Sequence, residues 1–368
     1  MARIPMYEPK LGEEELANVT EAVKSTWISS KGKFITQFEE EFAKKVGTKY
    51  AVATSNGTVS LHLAMAALGI GKGDEVIVPT LTFIASANTV KYTGAKPVFV
   101  DSNKEYWCID PEKIEKRITK KTKGIMPVHL YGHPCDMDPI LEIAKKHDLF
   151  VIEDAAEAHG AKYKGRTVGS FGDISSFSFF GNKIITTGEG GMCTTDDEAL
   201  YQKMRVLRDH GMNPSKRYWH DVIGYNYRMT NMQAAIGVAQ VHKMDEVIAR
   251  KREIARLYEK NLSSLAKKGY ITLSPQMEWA TSVYWMYNIL LKGKAKLGRD
   301  ELMEKLGAKG IETRPIFHPL HMMPPYKQSR RYPIAEKIGL SGISLPSGPT
   351  LTDEQIKEVC NAVTENII

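Results

Sequence analysis

Three short stretches of the chain carry residue types that could do chemistry together. Lys183 follows the greasy run Phe177-Ser-Phe-Phe180 and precedes a cluster of glycines at Gly188, Gly190 and Gly191. A surface lysine needs no such setting. A lysine whose Cα must lie close to a flat ligand does, because glycine neighbours leave the backbone room. Glu153-Asp154 ends the apolar run Phe150-Val-Ile152, and Glu157 and His159 follow. A carboxylate there can hold a protonated ring nitrogen or a metal, or simply cap a helix. Ser55-Asn56-Gly57-Thr58 ends a third apolar run, Ala51–Ala53. It opens a segment in which Leu61, Ala64, Met65 and Leu68 recur at helical spacing, predicting a helix with one buried face. The free N–H groups of a helix start, beside a glycine and two hydroxyls, suit a phosphate. The same residues also make an ordinary N-cap.

Each feature alone has a bland explanation; their coincidence does not. A phosphate cradle, an acid at a strand end and a lysine in a glycine-lined loop match the three handles of pyridoxal phosphate. These are its 5′-phosphate, its pyridine nitrogen and its aldehyde carbon. Phe83, just past the apolar run Glu75–Val78, offers a flat face for the ring, and Ser178 a further phosphate donor. No companion ligands stand at metal spacing around Asp154, so no metal is expected.

The elements that must position these residues alternate. Short apolar runs at Glu75–Val78, Pro97–Val100, Gly124–Val128, Leu149–Ile152 and Ser176–Phe180 are separated by helical segments such as Pro139–His147. Such alternation implies a covered, largely parallel sheet, whose ligands bind beyond the C-terminal strand ends. From Met232 to Leu265 a long helical stretch follows, then the run Tyr284–Leu291 and a helix near Arg299–Leu306. The expected division is a large domain over 13–238 and a smaller α+β domain over 239–368, with residues 1–12 packing against the smaller one.

The 368 residues, 42% hydrophobic and 25% charged, suit a globular protein of two domains. The net charge of +7 is spread without a Lys/Arg block, which favours anionic metabolites over nucleic acid. Four scattered cysteines support neither a disulfide framework nor a zinc site. The first residues lack the apolar core of a signal peptide, and no stretch is long enough to span a membrane. A cytoplasmic protein is the expectation.

In order, SNGT, TFIAS, EDAAEAHG, FSFFGNKIITTGEGG and GYNYRMTN resemble the DegT-type nucleotide-sugar aminotransferases. The resemblance runs from Ile4-Pro5 to Ser344-Leu345-Pro346. It implies a fold-type I, aspartate aminotransferase-like pyridoxal phosphate enzyme, with pyridoxamine phosphate as its half-reaction form. Lys183 is then the lysine that binds the cofactor covalently and shuttles the proton. Asp154 pairs with the pyridinium nitrogen, Phe83 stacks on the ring, and Ser55, Asn56, Gly57, Thr58 and Ser178 surround the phosphate. Glu157 stands where many relatives have glutamine near the ring's 3′-oxygen, a departure that leaves its role open. Asn226 matches an asparagine that reaches the phosphate from the partner subunit, implying a homodimer with shared sites. Ser29, Lys31, His159, Arg314 and His321 complete the implied substrate side, Arg314 as a partner for a diphosphate.

The stretches SFFGNKIITTGEGGM, RYWHDVIGYNYRMTN and ETRPIFHPLH point within the family to one reaction. It moves the amino group of L-glutamate to the 4-keto carbon of GDP-4-keto-6-deoxy-D-mannose, giving GDP-perosamine for O-antigen or similar lipopolysaccharide synthesis. A UDP- or dTDP-linked 4-keto-6-deoxyhexose is the alternative, and a cofactor-retaining regulator a second. Relatives that exchange the lysine for histidine act as 3-dehydratases; Lys183 argues for full transamination, and against a regulator without turnover.

Overall fold

The computed structural model describes residues 4–368. Seven strands form the large sheet: β1 (Tyr50–Thr54), β2 (Glu75–Pro79), β3 (Lys96–Val100), β4 (Thr122–Ile125), β5 (Phe150–Asp154), β6 (Ile174–Ser178) and β7 (Gly191–Thr195). Their spatial order is β1-β7-β6-β5-β4-β2-β3. The neighbours from β6 through β5, β4 and β2 to β3 are parallel, and β7 alone runs antiparallel to both its neighbours. Every residue of β2 and β7 is buried, as a sheet covered on both faces requires. The fold is α/β with a large, mostly parallel sheet, as the strand and helix alternation predicts.

Ten helices cover and extend the sheet among the described residues: α1 (Glu13–Lys24), α2 (Lys33–Val46), α3 (Gly57–Ala67), α4 (Ala85–Tyr92), α5 (Met137–Lys146), α6 (Glu198–Arg208), α7 (Asn231–Lys267), α8 (Arg299–Ala308), α9 (Pro333–Ser341) and α10 (Asp353–Ile367). In α3 the burial goes beyond one face: Ser60, Leu61, His62, Leu63, Ala64, Met65 and Ala67 are all buried. Leu61, Ala64 and Met65 face one side as their spacing requires. The helix is wedged between the sheet and its neighbours α4 and α6, so its other sides are covered too.

A second sheet of four antiparallel strands, β8 (Ile271–Leu273), β9 (Tyr287–Leu291), β10 (Arg314–Pro315) and β11 (Gly342–Leu345), has the order β8-β9-β11-β10. The helix α7 joins the two halves. It starts in a capping box, Thr230 accepting from Gln233 N–H while the Gln233 side chain accepts from Thr230 N–H. Ala234, Val238, Val241, Met244 and Val247 enter the core under the large sheet. Ile254, Ala255, Tyr258, Leu262 and Leu265 enter the core of the small one. Core membership therefore changes within α7, between Val247 and Ile254, and we propose that the domain junction lies inside this helix. Near the N-terminus Ile4 belongs to the small core and Met6 to the large one. Residues 1–3 of the segment expected to pack with the small domain lie outside the described residues. No helix among those described is long and apolar enough to cross a membrane.

Candidate active site

Strands β5 and β6 are parallel neighbours in the register Asp154 to Ser176, so Asp154 and Ser178 emerge at the same sheet edge. The connection from β6 to β7 is a hairpin, and Lys183 lies in it. A turn closed by its N–H on the Phe180 carbonyl at 2.9 Å holds the lysine just beyond the edge. At the end of β1 the chain turns into α3. Asn56 caps that helix, its carboxamide oxygen accepting from Val59 N–H at 3.0 Å. The Asn56 oxygens are committed to the Val59 and Ser60 N–H groups; the N–H groups of Gly57 and Thr58 are left for a ligand. Cap and cradle coexist.

The contact between these pieces is close. A Cβ placed on Gly57 would stand 2.6 Å from the Ser178 Cβ, a distance real side chains do not adopt. Glycine at 57 is therefore what lets the helix start and the Ser178 hydroxyl converge. An anion there meets the positive end of α3 and a hydroxyl together, which fits a phosphate.

The charges around Lys183 are set against one another. Burial disfavours its ammonium and lowers its pKa, while the negative charges of Glu157 and Asp154 work the other way. Burial raises the Asp154 pKa, opposed by the Ser86 hydroxyl, the Ala156 N–H and the Lys183 charge. Ser86 donates to Asp154 Oδ2 at 2.7 Å and Ala156 N–H to Oδ1 at 3.2 Å. A carboxylate has about four acceptor positions, so room for a cationic N–H donor remains. Burial pushes Glu157 up to about 7, against the Lys183 charge and the Tyr131 N–H, which donates to its Oε2 at 2.6 Å. Three titratable groups at one strand edge are thus held away from their ordinary values, the signature of a reactive site.

Phe83 lies one turn before Ser86 and is 54% exposed, so a ring face is open. Its centroid is 5.8 Å from that of Phe317, and Phe317, Tyr131 and Trp285 stack behind it. A buried acid, a lysine, an open aromatic face and an anion cradle make a donor set that fits a planar, phosphate-bearing cation.

Other expected residues are placed differently. His159 is a correction. It is fully buried in a cage of Phe42, Phe177 and Phe179, neither ring nitrogen has a partner, and burial drives its pKa down to about 3. It packs behind β6 as a neutral ring and cannot meet a substrate. His321 is a second correction: at 3% exposure its nitrogens face Thr80 Oγ1 at 2.7 Å and Glu336 Oε1 at 3.2 Å, both protein partners. A histidine two residues after Pro319 and three before Pro324-Pro325 carries no signal of such burial. Arg314 is exposed on β10, 3.9 Å from a Glu312 oxygen, and Lys31 is exposed in the loop before α2. Ser29 is also exposed, and its carbonyl accepts from Asn231 N–H at 2.6 Å, tying that loop to the start of α7. Asn226 is exposed beside Tyr227, whose carbonyl accepts from Ser55 N–H at 2.9 Å.

Residues that sequence reasoning did not single out complete the surroundings. Ser86 was within reach, because it stands three residues after Phe83 where a helix turn would bring it to Asp154. Tyr7, Tyr131 and Trp285 had no local signal: they arrive from distant parts of the chain.

A model of the DegT/DnrJ/EryC1/StrS aminotransferase family matches residues 9–364. The chain belongs to this family. Among family relatives it is 54% identical over 366 residues to GDP-perosamine synthase of Escherichia coli O157:H7, covering 99% of each chain. It is 50% identical over 370 residues to GDP-perosamine synthase of Caulobacter vibrioides, covering 100% of this chain and 99% of that one. Among solved structures, the PLP form of Spr1654 from Streptococcus pneumoniae superposes with a TM-score of 0.93 at 28% identity, covering 100% of both chains. The family's fold is thus this chain's fold, and the arrangement around Lys183 sits within an aminotransferase.

Proposed function

We propose that the protein is a pyridoxal phosphate-dependent aminotransferase that transfers the amino group of L-glutamate to the 4-keto carbon of GDP-4-keto-6-deoxy-D-mannose, giving GDP-perosamine. The observation that carries the reaction type is the convergence of Lys183, Asp154 and Glu157 at one strand edge with the Gly57–Ser178 cradle. Full-length identity of 54% and 50% to two GDP-perosamine synthases supports the substrate. When bound, pyridoxal phosphate supplies an electron sink for the carbanion at the amino-bearing carbon.

The chain's own residues would do the rest. The N–H groups at the start of α3, with Thr58 and Ser178, bind the phosphate. Asp154 holds a proton on the ring nitrogen, aided by its burial, which favours a cation opposite it. Phe83 covers one ring face. Lys183 Nζ, less basic than a free lysine, takes up and returns the migrating proton. Glu157 stands near enough to Lys183 to feel its charge. In the proposed role its carboxyl holds a proton and donates to the ring oxygen, which resolves the repulsion that an ionised carboxylate would meet.

The active form proposed is a homodimer with shared sites. Asn226 is exposed, and the neighbouring Tyr218 and Ile223 are 74% and 91% exposed, an apolar tip suited to a second copy. Arg314 and Lys31, both exposed, are the proposed substrate-side cations. The enzyme would act in the cytoplasm on the path to a surface polysaccharide.

The test is purified protein with cofactor, L-glutamate and 4-keto-6-deoxy sugars on GDP, UDP and dTDP, the product read by mass spectrometry. Amination of the GDP-linked sugar alone is the expected result. Amination of another nucleotide's sugar would overturn the substrate and leave the chemistry.

A further inference from the structure

A second lysine is buried more deeply than Lys183, and the proposed reaction does not use it. Lys251, in the middle of α7, is 1% exposed. Its ammonium donates to the Trp285 carbonyl at 2.7 Å and to the Ser347 carbonyl, and lies 5.1 Å from the centre of the Tyr7 ring. Two carbonyls and a ring face soften the cost of burying a charge, but an apolar side chain would avoid it altogether. The lysine supplies donors to two buried carbonyls that an apolar side chain would leave unpaired, and the residues it holds bear on the reactive loop.

Its partners lead to one place. The Tyr7 hydroxyl donates to the Lys183 backbone carbonyl at 2.5 Å. The Trp285 indole N–H donates to the Asn182 carbonyl at 2.6 Å, and the Lys183 Nζ lies 3.8 Å above the Trp285 ring. Two successive carbonyls of the reactive loop are therefore gripped by side chains of residues that Lys251 contacts, Tyr7 at its ring and Trp285 at its backbone carbonyl. The rest of the loop is tied down by the Lys183 N–H on the Phe180 carbonyl, by Thr186 N–H on the Gln240 side chain at 3.2 Å and by the buried Ile184 and Ile185, whereas the Asn182 side-chain oxygen has no partner.

We propose that Lys251 is a positioning residue for catalysis: through Tyr7 and Trp285 it fixes the Asn182–Lys183 segment, and so the reach of Lys183 Nζ. The inference rests on the reading of Lys183 as the reactive lysine. It assigns a function to a residue far along the chain, and to Tyr7 near the N-terminus. The three residues come from α7, from the entry to β9 and from the N-terminal segment, so the loop's position depends on segments far apart in sequence.

The test uses the holoenzyme of Lys251→Met and Tyr7→Phe, with wild type and Lys251→Arg alongside. Lys251→Met should lower kcat roughly ten- to a hundredfold, the scale of a misplacement near 1 Å, with KM for the sugar nucleotide little changed. The visible circular dichroism of the bound cofactor, which reads how it is held, should weaken. Tyr7→Phe should shift both readouts the same way, and Lys251→Arg, which keeps donors for the carbonyls, should recover part of the rate. Wild-type kcat and dichroism in Lys251→Met would overturn the inference, as would a fall in rate with unaltered dichroism. Should Lys251→Met not fold, Tyr7→Phe decides: wild-type behaviour there overturns the inference. A wild-type protein that shows no cofactor band would instead overturn the parent reading, and this one with it.

Discussion

At the scale of single residues, the site works by opposition. Lys183 is made less basic by burial and more basic by two carboxyls, and each carboxyl is in turn pushed toward its protonated form by burial and toward its ionised form by the lysine. Lys183→Ala should abolish turnover and the visible cofactor band while circular dichroism in the far ultraviolet stays as in wild type. Asp154→Asn keeps the shape and the Ser86 contact but removes the charge facing the ring nitrogen. Its kcat should fall by about three to four orders of magnitude, the range seen for essential catalytic groups, in a steady-state assay. Glu157 gives a pH prediction with a definite sign. Its folded pKa, about 7, lies above the ordinary glutamate value of 4.5, so the folded state keeps a proton that the unfolded state releases. That contribution to stability is complete below the unfolded pKa and is lost as pH rises through about 7. Glu157→Gln should therefore flatten the fall in melting temperature of the cofactor-free protein between those values, followed by calorimetry across a pH series.

At the scale of elements, what holds the site is contact between segments that are far apart in sequence. Gly57→Ala forces the start of α3 away from Ser178. We expect a loss of roughly 1–3 kcal/mol, as for other overpacked contacts, and faster loss of cofactor on dialysis. Equilibrium unfolding and residual absorbance would measure the two. This contact also shows how much could be read in advance. The apolar runs at Glu75–Val78, Pro97–Val100 and Leu149–Ile152 fall inside β2, β3 and β5 to within two residues, because short buried strands are written in local pattern. Asp154, Lys183 and Ser178 were legible because each closes or follows such a strand, and the resemblance named their roles. His159 was misread: its neighbours in sequence are small residues, while the aromatic cage comes from Phe42 and from β6. Tyr7, Trp285 and Lys251 were invisible for the same reason, their partners being fixed by how α7 and the two cores assemble. Local pattern carries elements; it does not carry what they enclose.

At the scale of the whole molecule, α7 carries both cores, and the site lies at the large one, walled in part by residues from the C-terminal part of the chain. Phe317 and Trp285, from the C-terminal part of the chain, stack with Tyr131 from the large-sheet part, so the wall of the site is shared. Ligand binding should therefore stabilise both halves together. Saturating cofactor at a hundred times its Kd adds about 2.7 kcal/mol by mass action, and removing it should lower the melting temperature of the molecule as one transition. Differential scanning calorimetry of apo- and holoprotein tests this; two separate transitions in the holoprotein would contradict it.

Glu153 and Asp154 are neighbours with opposite duties. Glu153 takes N–H donors from Gly169, Phe171 and Gly172, the Ser175 hydroxyl and His129, anchoring the chain that leads into β6. Asp154 turns to Ser86 and the cleft. Successive side chains on a strand point to opposite faces, so losing or gaining one residue within Phe150–Ile152 would exchange the two carboxyls. Such a change would put the shorter acid among the donors that anchor the approach to β6 and the longer one in the cleft, misplacing both in one event. A surface loop can absorb an extra residue, but the register of this short strand leaves no intermediate step.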